Sequence, residues 1–514
     1  MSKTAKGDTY SRRMFLKAST AAAGGIALAS PLESLAARQR GGYRPDSDNG
    51  YGPLEPVADD TTGLPLLQLP RGFRYESFGW TGDLMSDGTL TPDRHDGMAV
   101  VDVRWRRRRG AELILIRNHE RGASDPDSPL PFIGNESTPT YDGFSAPGVV
   151  SGIGGGTTAL TFARGRFTGA EATLAGTLTN CAGGPTPWSS WLTCEETTIR
   201  GSLIGARDHG YVYEVPSPAE GRASAVPIVD MGFMDHEAVA VDPFTSRVYL
   251  TEDNGPHSGF YRFTPTRRCR GFGDLEAGGR LEMLKVIGQD NADLGAVQTG
   301  DSFDVEWVPI ADPNADPETL VSPVPGVFPD IEGSGRSGPY LQGEALGAAR
   351  FVRGEGCWYR YGVVYFVDTT GGPAGKGVVW AYRPSRRWPD YGRLKAIFVS
   401  PDEATADNPD NITVSPRGGI LVCEDGGGRS ENGTLVGGTR LIGVNRDGQS
   451  YPFAENNMQI DSALDGKPFI APDDYRGREF AGACFSPIGR YLFVNIQTPG
   501  VTFAIRGPWR RGYL

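Results

Sequence analysis

Short apolar runs ending in acidic or amide residues recur six times along the chain. They are Glu112-Leu-Ile-Leu-Ile-Arg-Asn-His-Glu120, Ser190-Trp-Leu-Thr-Cys-Glu-Glu196, Arg247-Val-Tyr-Leu-Thr-Glu-Asp253, Gly362-Val-Val-Tyr-Phe-Val-Asp368, Gly419-Ile-Leu-Val-Cys-Glu-Asp425 and Arg490-Tyr-Leu-Phe-Val-Asn495. Each is followed by a second β-rich run, at 158–162, 211–215, 259–263, 378–382, 440–444 and 501–505. Four are also preceded by a further strand and a Pro, Gly or Ser turn, as in Asp235-His-Glu-Ala-Val-Ala-Val-Asp242 before Arg247. β-branched and aromatic residues bounded by Pro, Gly, Asp and Asn signal hairpins. Six copies of a strand–turn–strand–loop–strand unit predict an all-β fold, a six-bladed β-propeller with long loop insertions. A β-sandwich is the structural alternative. Residues 264–345 and 428–438 read as insertions within a single propeller domain spanning 37–514.

The strand before each turn and the strand ending in acids are antiparallel neighbours. The start of the first and the end of the second therefore lie at the same end of every blade. The starts supply Asp96, Cys181, Asp235 to Glu237, Arg353 to Glu355, and Asp410 with Asn411; the ends supply Glu120, Glu195, Glu196, Glu252, Asp253, Asp368, Glu424 and Asp425. Any one of these acids reads most simply as a solvated loop end or turn cap. In a propeller, however, all of them crowd one mouth of the central channel. About eight carboxylates there repel by several kcal/mol unless cations neutralise them. Hard oxygen ligands at that density suit calcium, and a thiolate among carboxylates suits a transition metal, with iron a reasonable candidate.

Composition narrows the picture. With 72 glycines and 39 prolines in 514 residues, a helical bundle is disfavoured, because helix interiors tolerate neither residue well. A net charge of −11 argues against nucleic acid as partner. Arg106 to Arg109 fall in a turn on the face opposite the acids and read as a solvated hairpin. Ser11-Arg-Arg-Met-Phe-Leu-Lys17, followed by an alanine-rich stretch, is a twin-arginine export signal within residues 1–36, with cleavage expected after Ala29 or Ala36. It implies the twin-arginine export machinery as a partner and a periplasmic or secreted destination. No later apolar run is long enough to span a membrane. Twin-arginine export carries folded protein, so the six scattered cysteines read as buried thiols rather than a disulfide framework, with one of them a candidate metal ligand.

Asn180-Cys-Ala-Gly-Gly184, Pro187-Trp188 and Trp191-Leu-Thr-Cys-Glu-Glu196 resemble the PhoX-type alkaline phosphatases. So do Asn118-His-Glu120, Asp235-His-Glu237, Arg353-Gly-Glu-Gly356, Asp410-Asn411 and Phe493-Val-Asn-Ile-Gln497. The resemblance implies a propeller exported by the twin-arginine route that hydrolyses phosphate monoesters at a mixed iron–calcium centre. It places the iron-bound cysteine on Cys181, metal-binding glutamates on Glu195 or Glu196, Glu237 and Glu355, and a substrate-binding arginine on Arg353. Calcium ligands would include Glu120, Asp253 and Asp425. The chain departs from the family in carrying Thr498-Pro499 where members often have His, and residues 264–345 match nothing in it.

The chemistry expected is hydrolysis of a small phosphate monoester, with Arg353 and Glu355 at its centre. Clustered cations would neutralise phosphoryl charge, and Arg353 would clamp the phosphoryl group through its planar fork. On an extended chain Glu355 points to the same face as Arg353, so one can hold metal while the other holds substrate. Two alternatives stand beside this reading. A calcium-dependent propeller lactonase or phosphotriesterase would need no thiolate, so Cys181 discriminates against it. A non-catalytic metal-binding exported propeller would need no phosphate clamp beside Glu355.

Overall fold

The computed structural model describes residues 50–106, 110–122, 133–143, 153–318, 335–445 and 448–514. The export signal expected at 1–36 and Arg107 to Arg109 lie outside the described residues. Six antiparallel blades follow one another in chain order. The first comprises His95–Arg106, Gly110–His119, Gly155–Ala163 and Arg166–Thr177. The second has three strands, Asn180–Pro185, Ser190–Glu195 and Val212–Pro216. The third is His236–Val241, Val248–Glu252, Phe260–Pro265 and Gly279–Val286; the fourth is Gly354–Arg360, Val363–Asp368, Val378–Pro384 and Tyr391–Val399. The fifth runs Pro409–Val414, Ile420–Glu424, Arg440–Val444 and Ser450–Asn456 and is extended by Leu67–Pro70 and Leu54–Val57. The sixth is Phe480–Phe485, Tyr491–Ile496 and Val501–Arg506, completed by Arg74–Phe78 from the beginning of the described chain. The first strand of each sheet packs on the first strand of the next, and the sixth packs on the first, so the ring is closed. This is a six-bladed β-propeller.

The second strands are buried on both faces, which is why they read as unbroken apolar runs: Val248–Glu252, Val363–Asp368 and Ile420–Glu424 are buried throughout. Apolar side chains fill the spaces between blades. Leu115, Leu160, Trp191 and Phe493 join the sixth, first and second blades, and Leu421, Leu441, Phe480 and Phe503 join the fifth and sixth. The axis is left to polar groups.

Residues 264–345, expected as an insertion, are partly blade. Gly279–Val286 is the outer strand of the third blade, and Ser302–Pro309 pairs with both Gly279–Val286 and Tyr391–Val399. The third and fourth blades thereby share one nine-stranded sheet. The alternation of Phe303, Val305 and Trp307 is a strand signal, but it lies outside the six-copy pattern. Residues 428–438 form the small hairpin Arg429–Glu431 with Thr434–Gly437.

Candidate metal centre

Each inner strand opens with a β-bulge. In five blades two residues of the inner strand face one on the neighbouring strand: Asp96-Gly97, Cys181-Ala182, Glu237-Ala238, Glu355-Gly356 and Asp410-Asn411. The sixth bulge, at Gly482-Ala483, carries no ligand-type side chain. A bulge re-aims a side chain and sharpens local twist, and here it gathers one acid or thiol from each of five blades. In the first and fourth blades the companion is glycine, and there the next inner strand passes close by. A Cβ on Gly97 would sit 2.5 Å from Ala182 Cα, and one on Gly356 would sit 2.7 Å from Asn411 Cα.

The acid pairs at the ends of the second strands divide between two tasks, as the two-residue period of a strand requires. The first member braces its blade. Glu195 accepts from Leu178 N and His209 Nδ1 at 2.9 and 2.6 Å through one oxygen and from Gly210 N and Tyr211 N at 2.9 and 3.2 Å through the other. Glu252 accepts from Gly259 N and the Tyr261 hydroxyl, Asp368 from Trp380 Nε1, and Glu424 from Arg440 and Asp407 N. The second member faces the mouth: Glu120, Glu196 and Asp425 line a cavity of about 290 Å³, with Gln497 in the sixth blade. Asp96, Cys181, Glu355, Asp410, Glu479, Arg94 and Arg353 complete its lining.

Two groups of ligand atoms are compact. Glu120, Cys181 and Glu196 each offer an atom within 4.8 Å of the other two, as do Glu237, Glu355 and Asp410. Of the residues anticipated from sequence, Glu120, Cys181, Glu196, Glu237 and Glu355 are thus brought together. Glu195 is not: its carboxylate is consumed by backbone amides and His209. Asp253 belongs to neither group, because both its oxygens accept from Arg353, Nε at 3.0 Å and Nη2 at 2.6 Å. Arg353 Nη2 also donates to Glu355 at 3.0 Å. Asp425 lines the cavity at its exposed rim, outside both groups. Asp410 joins a ligand group, and Asp96 lies beside them. Both hold the inner-strand position of Cys181, Glu237 and Glu355, and that register is the signal that would have singled them out. Arg94 and Glu479 sit one step before the inner strands, where no strand pattern points to them.

Electrostatics inside the mouth is one-sided. Burial, then Glu120, Asp410 and Glu237, pushes the Asp96 carboxyl well above the usual carboxylate range. Glu237 and Glu355 are raised by burial and then by Asp410 and Asp253 respectively, and Glu196 by burial and then Glu237. Burial and then Asp425 carry Asp410 to about 7, and burial followed by Glu196 and Glu237 raises the Cys181 thiol. Burial works against the Arg353 guanidinium, yet Asp253 and Glu355 hold it above its ordinary value. Both carboxylate oxygens of Asp96 and of Glu237 are buried with no hydrogen-bond partner among the described residues. Burying ionised carboxylates without partners is costly unless cations pair with them. A thiol with five clustered carboxylates is a donor set that fits metal ions.

The closed ring and its acid- and thiol-lined mouth define a β-propeller with a candidate metal centre. A family model for alkaline phosphatase PhoX matches residues 49–146 and 146–500, and the chain belongs to that family. No match was found among curated protein sequences. Among solved structures, the chain is similar to a gluconolactonase, XC5397 of Xanthomonas campestris, at 11% identity and TM-score 0.39, covering 91% of this chain and 100% of that one. It is similar to the PQQ-bound aldose sugar dehydrogenase of Streptomyces coelicolor at 11% identity and TM-score 0.31, covering 73% and 98%. The periplasmic gluconolactonase PpgL of Pseudomonas aeruginosa aligns at 14% identity and TM-score 0.25, covering 60% and 76%. Among the described residues, no helix is long and apolar enough to cross a membrane.

Proposed function

We propose that this chain is a metal-dependent phosphomonoesterase whose reaction takes place at the acidic mouth. The observation that carries this reading is the presence, in one cavity, of a thiol and clustered carboxylates beside an anchored guanidinium. Glu120, Cys181 and Glu196 would hold iron, the thiol selecting a softer metal than carboxylates alone. Glu237, Glu355 and Asp410, with Asp425 at the rim, would hold calcium. Bound cations supply Lewis-acid neutralisation of the charge on the phosphoryl oxygens.

The chain's own residues do the positioning. Arg353 leaves its backbone at φ 53°, a left-handed conformation that a non-glycine residue rarely adopts. Asp253 grips two of its guanidinium nitrogens and Glu355 one of them, so the fork is fixed before substrate arrives. Nη1 has no acceptor among the described residues and is available for a phosphoryl oxygen. A pre-set donor loses little entropy on binding, which favours the transferring group over water. Glu355 touches both Arg353 and the second ligand group, so it ties the clamp to the cations. The twin-arginine sequence at Arg12 and Arg13 supports export to the periplasm or beyond.

The test is metal analysis of the purified exported protein beside a p-nitrophenyl phosphate assay with added calcium. Iron and calcium with turnover are expected. Cys181→Ala and Glu196→Gln should each lose iron and lower kcat/KM by about a hundredfold or more, while the fold persists by circular dichroism. Full metal content without hydrolysis of any phosphate monoester, or unchanged iron in Cys181→Ala, would overturn the assignment.

A further inference from the structure

The residue just before each inner strand occupies one ring around the mouth: Arg94, Thr179, Asp235, Arg353, Asn408 and Glu479. Its carbonyl accepts the amide of the residue just past the second strand in every blade. The pairs are Glu120 N to Arg94 O at 3.0 Å, Glu196 N to Thr179 O at 3.0 Å, Asp253 N to Asp235 O at 3.1 Å, Thr369 N to Arg353 O at 2.9 Å, Asp425 N to Asn408 O at 3.0 Å and Gln497 N to Glu479 O at 3.2 Å. The six side chains therefore leave the channel wall at equivalent points. Two of the six are cations, Arg94 in the first blade and Arg353 in the fourth. In a closed ring of six those blades are three places apart in either direction, so the two arginines start from opposite walls.

They match in more than position. Both line the cavity, and both have the left-handed backbone, φ 52° and 53°, that Thr179 and Asn408 also adopt at this ring position. Each is followed two residues later by a buried acid of the inner-strand bulge, Asp96 after Arg94 and Glu355 after Arg353. The Arg-x-acid unit proposed to combine phosphate clamp and metal ligand in the fourth blade is thus repeated across the channel.

Resting on the phosphomonoesterase reading, we propose that Arg94 is a second substrate-binding residue. Opposed to Arg353, it makes the mouth selective for a terminal, dianionic phosphoryl group. A monoester presents three non-bridging oxygens and close to two negative charges, which guanidinium forks from two sides can share with the cations. A diester presents two such oxygens and one charge, and its second substituent occupies one of the approaches.

The experiment uses the metal-loaded protein and the variants Arg94→Gln, Arg94→Lys and Arg94→Asn; asparagine tolerates the left-handed backbone while removing the guanidinium. For Arg94→Gln and Arg94→Asn, KM for p-nitrophenyl phosphate and the inhibition constant for inorganic phosphate should each rise about tenfold or more, the scale of one charged hydrogen bond. Metal content should not change, kcat should move less than KM, and Arg94→Lys should fall between. Hydrolysis of bis(p-nitrophenyl) phosphate should lose less than hydrolysis of the monoester. KM and phosphate inhibition within about twofold of the parent in a fully metallated variant would overturn the proposal. So would loss of metal in step with loss of affinity, which makes Arg94 a scaffold residue. Absence of turnover in the parent protein would sink the phosphatase reading instead. The clamp is then judged by calorimetric binding of inorganic phosphate, and equal affinity in parent and Arg94→Asn, or none in either, counts against it.

Discussion

His209 shows how much the meaning of an acid depends on its neighbour. Its Nδ1 lies 2.6 Å from Glu195 Oε1 and its Nε2 lies 3.5 Å from Asp142 Oδ2, inside a buried pocket. Burial alone would lower its pKa, but Glu195 and Asp142 together raise it to about 9. The folded protein thus holds the proton more tightly than the unfolded chain. The stabilisation is complete below the ordinary value of about 6.5 and is lost as pH rises through about 9, amounting to at most about 3 kcal/mol. We expect urea midpoints of the parent protein and His209→Gln to differ most near pH 6 and to converge by pH 10. A gap that is constant across that range would contradict the assignment. The pairs Glu195-Glu196 and Glu252-Asp253 were legible as candidates. Their division of labour was not, because the two members differ only in which side of one strand they occupy. Arg353 was legible through the residues around it, whereas Arg94, in the same conformation, precedes a strand with one acid, Asp96, at its opening bulge.

The recurring element is the bulged inner strand. The long apolar second strands announce themselves because both their faces are buried. The inner strands are harder to read, since an acid or thiol followed by Gly, Ala or Asn breaks their alternation. That break is the bulge, and it supplies Cys181, Glu237, Glu355 and Asp410 to the two compact groups. Gly97 and Gly356 are held there by contact rather than by turn geometry. Gly97→Ala should therefore push against the backbone at Cys181 and Ala182, costing about 1–3 kcal/mol by overpacking, a few degrees in Tm. It should also lower iron occupancy, because Cys181 is what moves. Gly122→Ala, whose added Cβ meets nothing within 4 Å among the described residues, is the control and should leave both unchanged. If Gly97→Ala behaves like the control by differential scanning fluorimetry and metal analysis, the inner strands have room that the structure does not show. The fusion of the third and fourth blades by Ser302–Pro309 escaped the repeat pattern because that strand belongs to no blade copy.

At the scale of the whole molecule, the formal charge of −11 is unevenly spread, with a dense group of carboxylates converging on one mouth. Ligands that bind only the folded ring stabilise it by mass action, by about 2.7 kcal/mol for a site held at a hundred times its Kd. A strong calcium chelator should lower Tm and abolish phosphatase activity together, and added calcium should restore both. A chelated protein that keeps its Tm while its calcium is shown to be gone would remove the cations from the account of stability. The ring itself carries a different consequence. Arg74–Phe78 closes the sixth blade against Val501–Arg506, and that blade supplies Glu479 and Gln497 to the mouth. Arg74–Phe78 must wait for Val501–Arg506 to be synthesised, so the wall of the mouth is complete only once that strand has emerged. Any metal held at the mouth must therefore load after Val501–Arg506 has been made, because a shorter nascent chain lacks part of the wall.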